Sequence, residues 1–80
     1  MVRIRVLLVN RGVDGISMCF IVSDINTGVK YTIGNCHRSD HPLWKMKNIQ
    51  CFCGNVEFEN GYYRRAYLHF YRNGKMFLIM

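Results

Sequence analysis

Acidic residues are scarce in this chain: five, against eleven lysines and arginines in 80 residues. Asp14, Asp24, Asp40, Glu57 and Glu59 are spread too thinly to suggest the paired carboxylates of acid–base catalysis. Asp14, Asp24 and Asp40 stand where turns or a helix cap are expected, which is ordinary structural use of aspartate. Other catalytic signatures are missing too: there is no glycine-rich phosphate loop, no nucleophile elbow and no pair of metal-ligating histidines. Cys36 and His37 are adjacent, but neighbouring side chains point apart, and a thiol enzyme brings its histidine from elsewhere in the fold. The expectation is a protein that is not an enzyme and needs no cofactor.

Long apolar runs are absent as well. No segment approaches 18 consecutive apolar residues, so no membrane-spanning helix is expected. Residues 1–9 lack the charged head and apolar run of a secretory leader. The four cysteines, Cys19, Cys36, Cys51 and Cys53, would allow two disulfides in three connectivities. Without a leader, a reducing cytoplasmic setting with free thiols is the expectation. Repeats, low-complexity tracts and linkers are also missing, which leaves a single domain over residues 1–80.

What is present is hydrophobic and aromatic. Half the residues are hydrophobic and 14% are aromatic, which excludes intrinsic disorder and favours sheet. A chain this short buries roughly 60–65% of its unfolded surface and has one thin core. The formal charge of +6 gives a positive field that favours anionic partners, either a phosphate backbone or an acidic protein surface.

Alternation marks the strands. Val2, Ile4, Val6 and Leu8 form one apolar face of a first strand. After a loop over residues 10–15, Ile16, Met18, Phe20 and Val22 repeat the pattern, and residues 29–33 supply a third strand of the same meander. From 34 to 50 the pattern stops. Residues 41–49 allow a short helix, with Asp40 as cap, Pro42 in the first turn and Leu43, Met46 and Ile49 at helical spacing. Strand pattern resumes at 49–52, breaks at Gly54 and continues over 56–59.

Residues 56–80 contain two Asn-Gly pairs, Asn60-Gly61 and Asn73-Gly74, the strongest short-range signal for two-residue hairpin turns. Such turns place Glu57 opposite Arg64 and Phe70 opposite Phe77. One face then carries Arg64, Ala66, Leu68, Phe70, Phe77 and Ile79. The other carries Tyr63, Arg65, Tyr67, His69 and Tyr71 beside Met76, Leu78 and Met80. Residues 62–72 also fit a helical stripe, but their aromatic content favours strand. The fold class is mainly β: a small antiparallel domain of about six strands, a meander plus C-terminal hairpins, forming a partly open barrel or two layers.

Tyr63, Arg65, Tyr67, His69 and Tyr71 have the chemistry to stack bases and pair phosphates, and Arg38, Trp44, Lys45 and Lys47 to form a basic rim. In a thin-cored protein several of these tyrosines are instead expected inside. Trp44 is equally suited to anchor a core or a protein interface. The expected function is a small basic binding protein that contacts nucleic acid or a nucleic-acid-handling complex. The alternative is an inhibitor or adaptor of the phage or mobile-element type, bound in an acidic groove of a host protein. A zinc-stabilised interaction module carries less weight. Cys36, His41, Cys51 and Cys53 could supply four ligands, but their spacing departs from a zinc knuckle, so no metal is expected.

Overall fold

The computed structural model describes residues 1–39 and 49–80. Six strands run in order: β1 (Val2–Arg11), β2 (Met18–Asp24), β3 (Lys30–Arg38), β4 (Ile49–Glu57), β5 (Tyr63–Tyr71) and β6 (Met76–Ile79). Each pairs antiparallel with the next, and β6 returns to β1 through Val2–Leu78 and Arg3–Phe77. The sheet is thus a closed barrel, which resolves the choice between an open barrel and two layers. Closure runs through these two pairs at the start of β1 and hides the edge groups there.

Period-two alternation fills the barrel. Ile4, Phe20, Val22, Ile33, Val56, Ala66, Leu68 and Leu78 are buried together. At one end Phe20, Phe52 and Phe70 pack as a trio, with ring centroids 5.5, 5.8 and 5.6 Å apart. Cys36 joins this core through a bulge. Asn35 has φ 52°, and the β3–β4 register shifts between Gly34 and His37, so Asn35 and Cys36 together face Gly54. At Gly54 an added Cβ would lie 2.8 Å from the Gly34 carbonyl and 2.9 Å from Ile33 Cγ2, so β3 and β4 meet closely only because this residue is glycine.

The bulge and the loops correct several expectations. β3 continues through Gly34 to Arg38 where the pattern suggested a loop, because an extra residue disguises the alternation. β4 runs unbroken through Gly54, where the pattern suggested a break, and the bulge lies opposite it in β3. β2 begins at Met18, leaving Ile16 in the preceding turn, and β3 begins at Lys30, one residue later than the alternation indicated. The Val2, Ile4, Val6 face does not extend to Leu8. A second bulge between Val6 and Leu8 places Leu8 opposite Ile21 and Val9 opposite Phe20. The helix expected near 41–49 falls on residues outside the described set, except Ile49, which opens β4.

Both Asn-Gly hairpins have three-residue loops instead of two. Gly61 N–H donates to the Phe58 carbonyl at 2.9 Å and Phe58 N–H to the Tyr62 carbonyl at 2.8 Å; Gly74, Tyr71 and Lys75 repeat this at 3.0 and 2.9 Å. Only the glycines take positive φ, 83° and 91°. Asn60 and Asn73 act through their side chains, each accepting the amide two residues on, at 3.2 and 3.0 Å. The extra loop residue slips the register by one. Glu57 faces Tyr63, and Phe70 faces Met76, so Met76 and Leu78 point inward while Phe77 and Ile79 point outward. Arg64 stands opposite Val56, not Glu57.

Candidate functional site

The slip leaves β5 itself unchanged. Ala66 and Leu68 face the core, so Tyr63, Arg65, Tyr67, His69 and Tyr71 share the outer face as expected. What the structure adds is their neighbours. Across β4, Glu57 lies beside Tyr63, Asn55 beside Arg65, Cys53 beside Tyr67 and Cys51 beside His69. His37 on β3 lies beside Cys53, which extends the row of Tyr67. Asn35, His37, Cys53, Gly54, Asn55 and Arg65 line a shallow concavity of about 300 Å³.

Exposure divides the five residues. Tyr63 is 65% exposed, and its hydroxyl donates to Glu57 Oε1 at 3.4 Å. Arg65 is exposed, while Tyr67 and Tyr71 are half-buried. Tyr71 packs edge-on against Phe77, ring centroids 5.4 Å apart at 81°. His69 is 0% exposed, between Cys51 and Phe77 in its ladder row, and so lies out of reach of a ligand. The tyrosine row is therefore neither fully solvated nor a second core, but grades from a wet end at Tyr63 to a packed end at Tyr71.

Arg38 is exposed at the end of β3. Trp44, Lys45 and Lys47 lie outside the described residues. Asn35 and Asn55 were not singled out by the sequence reading, and His37 was weighed there only for catalysis or metal, not as part of a binding face. The one signal for them was Gly34-Asn35, a pair suited to the left-handed backbone that this bulge needs.

Arg65 is the cation at the centre of this wall, and Glu57 stands at its Tyr63 end. Among the described residues no arginine or lysine side chain is held in an ion pair. Asp14 and Asp24 are occupied in turns. Asp14 Oδ1 accepts the Ile16 and Ser17 amides at 2.9 and 2.8 Å and the Ser17 hydroxyl at 2.9 Å, and these bonds hold its carboxyl below the ordinary 3.8. Asp24 Oδ1 accepts the Asn26 amide at 2.8 Å. A larger concavity, about 700 Å³, lies between the β2–β3 and β4–β5 turns, but Glu57 and Glu59 line it together with Tyr31, Phe58 and Tyr62. Those carboxylates make it a poor seat for phosphate.

The thiols do not converge. All four cysteines are free. Cys36 points into the core and its thiol is pushed up to about 12 by burial. Cys51 and Cys53 point outward from β4; burial also raises Cys51, partly offset by a hydrogen bond from Ser39. Among the described residues no three metal-ligating side chains gather. Of the four zinc ligands considered from sequence, His41 lies outside the described residues and Cys36 faces away from the other two. Compared with protein-family models, curated proteins and solved structures, the chain matches none.

Proposed function

We propose that this protein binds single-stranded nucleic acid without catalysis, through the outer wall of β4 and β5. The observation that carries this reading is Arg65. It is exposed, free of any ion pair, placed beside Asn55 at a polar concavity, and flanked along β5 by Tyr63 and Tyr67. Alternate residues of a strand stand about 6.7 Å apart. That spacing suits successive nucleotides of an extended strand, with a tyrosine ring under one base and the guanidinium on the phosphate between. Asn35, Asn55 and His37 add donors and acceptors for base edges. The +6 charge draws the polyanion in.

The test is a salt titration of fluorescent oligonucleotide binding. Affinity should fall steeply with salt, and Arg65→Ala should flatten the log–log slope by about one unit while leaving the melting temperature in place. Absence of binding at low salt to any single-stranded DNA or RNA contradicts the reading. The alternative then takes its place: a phage- or mobile-element-type inhibitor seated in an acidic groove of a host protein.

A further inference from the structure

β1 is ten residues long and β6 only four, and the mismatch leaves a gap in the barrel wall. β1 pairs with β6 only at Val2 and Arg3. Beyond them, the edge of β1 that faces away from β2 has no strand partner among the described residues. Such an edge offers a row of backbone donors and acceptors to any extended chain. Natural edges are usually guarded by charge, yet this one carries Leu7, Leu8 and Val9, exposed by 46, 47 and 48%. The guanidinium groups stand only at its flanks, Arg5 before the run and Arg11 after it, both exposed.

Beside the open edge lies a cavity of about 280 Å³. It is lined by Val9 and Met18 from the β1–β2 hairpin, Gln50 and Phe52 from β4, Phe20 and Phe70. The phenylalanine trio is its floor, and a single polar side chain, Gln50, reaches it. The cavity opens at the barrel end where β1, β3 and the β5–β6 turn bring Arg11, Arg38, Arg72 and Lys75. An apolar pocket of this size fits one large side chain, and the surrounding charge selects what carries it.

We infer that the open edge of β1 is a docking site for an extended, acidic peptide segment of a partner protein. The segment adds as a strand along residues 6–11 and seats one bulky apolar side chain on Phe20, Phe52 and Phe70. Backbone pairing holds the strand, the pocket reads one residue, and Arg5 and Arg11 meet acidic side chains at either side. A second copy of this chain is the weaker fit, since each copy brings six positive charges to the contact. This surface is separate from the β4–β5 wall and does not rest on its binding nucleic acid.

The probe is a fluorescein-labelled peptide alternating glutamate with valine around one central phenylalanine. It is measured against the same peptide with alanine for phenylalanine, and against one with lysine for glutamate. The acidic phenylalanine peptide should bind with a micromolar Kd, and the alanine peptide at least about tenfold more weakly. The lysine peptide should not bind. Hydrogen exchange should slow at those amides of residues 6–11 that do not bond β2, and Arg11→Gln should weaken the acidic peptide alone. Equal binding of the phenylalanine and alanine peptides, or binding without protection of β1, overturns the proposal. So does a free chain that sediments as a dimer with these amides already protected, which would make a second copy the occupant. Since two of the three comparisons vary only the peptide, they do not depend on any variant folding.

Discussion

β1 and β5 are both long strands of one barrel, and they present opposite surfaces. β5 is paired with β4 along its whole length and with β6 from Tyr67 to Phe70, so its backbone is engaged on one edge throughout and on both edges in its second half, and a ligand on its outer face meets side chains. The exposed and half-buried side chains of its outer face are aromatic and cationic, and β4 adds the Asn55 amide beside Arg65. Past Arg3, β1 is paired on one side only, and the middle of its exposed stretch is the hydrocarbon run Leu7, Leu8 and Val9, with Arg5 and Arg11 at its flanks. The contrast shows how one small barrel can offer two kinds of recognition. A saturated strand recognises by the chemistry of its side chains; an unsaturated one recognises by backbone pairing, with pockets supplying the selectivity.

The largest effect that can break this division is on stability within β5. Leu68 is fully buried and Tyr63 is not, though both lie on one strand five residues apart. Leu68→Ala should cost about 2–5 kcal/mol in denaturant unfolding, and Tyr63→Ala no more than about 0.5 kcal/mol. Similar costs for the two would mean that the tyrosine wall is packed rather than presented. Next come the loops that set the register of that wall. Gly61→Val and Gly74→Val should each cost roughly 1–2 kcal/mol, because a β-branched residue resists the left-handed backbone these glycines adopt. Asn60→Ala should cost less, since in a three-residue loop Asn60 needs no positive φ and loses only its hydrogen bond to the Tyr62 amide.

A smaller effect is expected from pH. Burial raises the Cys36 thiol from an ordinary 9.0 to about 12 in the folded chain. The unfolded chain therefore releases this proton first. The stabilisation from keeping the thiol neutral is complete below about pH 9, and is lost as pH rises from there toward the folded value near 12. Melting temperature should fall over that alkaline window, and Cys36→Ala should reduce the fall even though it weakens the core. An unchanged alkaline limb would show that the thiol is not held in the interior.

Much of this arrangement is legible in the sequence, and the misses share a cause. Alternation marked β1, β2, the first half of β3 and parts of β4, while aromatic content and the two Asn-Gly pairs marked β5 and β6; Tyr63, Arg65, Tyr67, His69 and Tyr71 then fell on one face, because parity within a strand needs no knowledge of its partners. Pairing does need it. Asn-Gly fits a two-residue turn with both residues left-handed, and equally a three-residue loop in which only glycine is, so the dipeptide leaves the register open by one. That single step exchanged Phe77 and Ile79 for Met76 and Leu78 as the inner face of β6. Bulges had the same effect on β1 and β3. The unbroken run Leu7, Leu8, Val9 and the pair Gly34-Asn35 mark where alternation is reset, but a reset resembles a strand end until the partner strand is known. Closure was illegible for a further reason: no residue pattern says that strand six returns to strand one. The burial of His69 was hidden likewise, since its parity puts it on the outer face and nothing local to β5 says that this position is covered.

The most direct test of the nucleic-acid wall is an NMR titration of the ¹⁵N-labelled chain with a short single-stranded oligonucleotide at low salt. The shifts expected on saturation cluster on His37, Cys53, Asn55, Tyr63, Arg65 and Tyr67, while Leu7, Leu8 and Val9 stay in place. Shifts concentrated on β1, or no shifts at all, would contradict the assignment of that wall to nucleic acid.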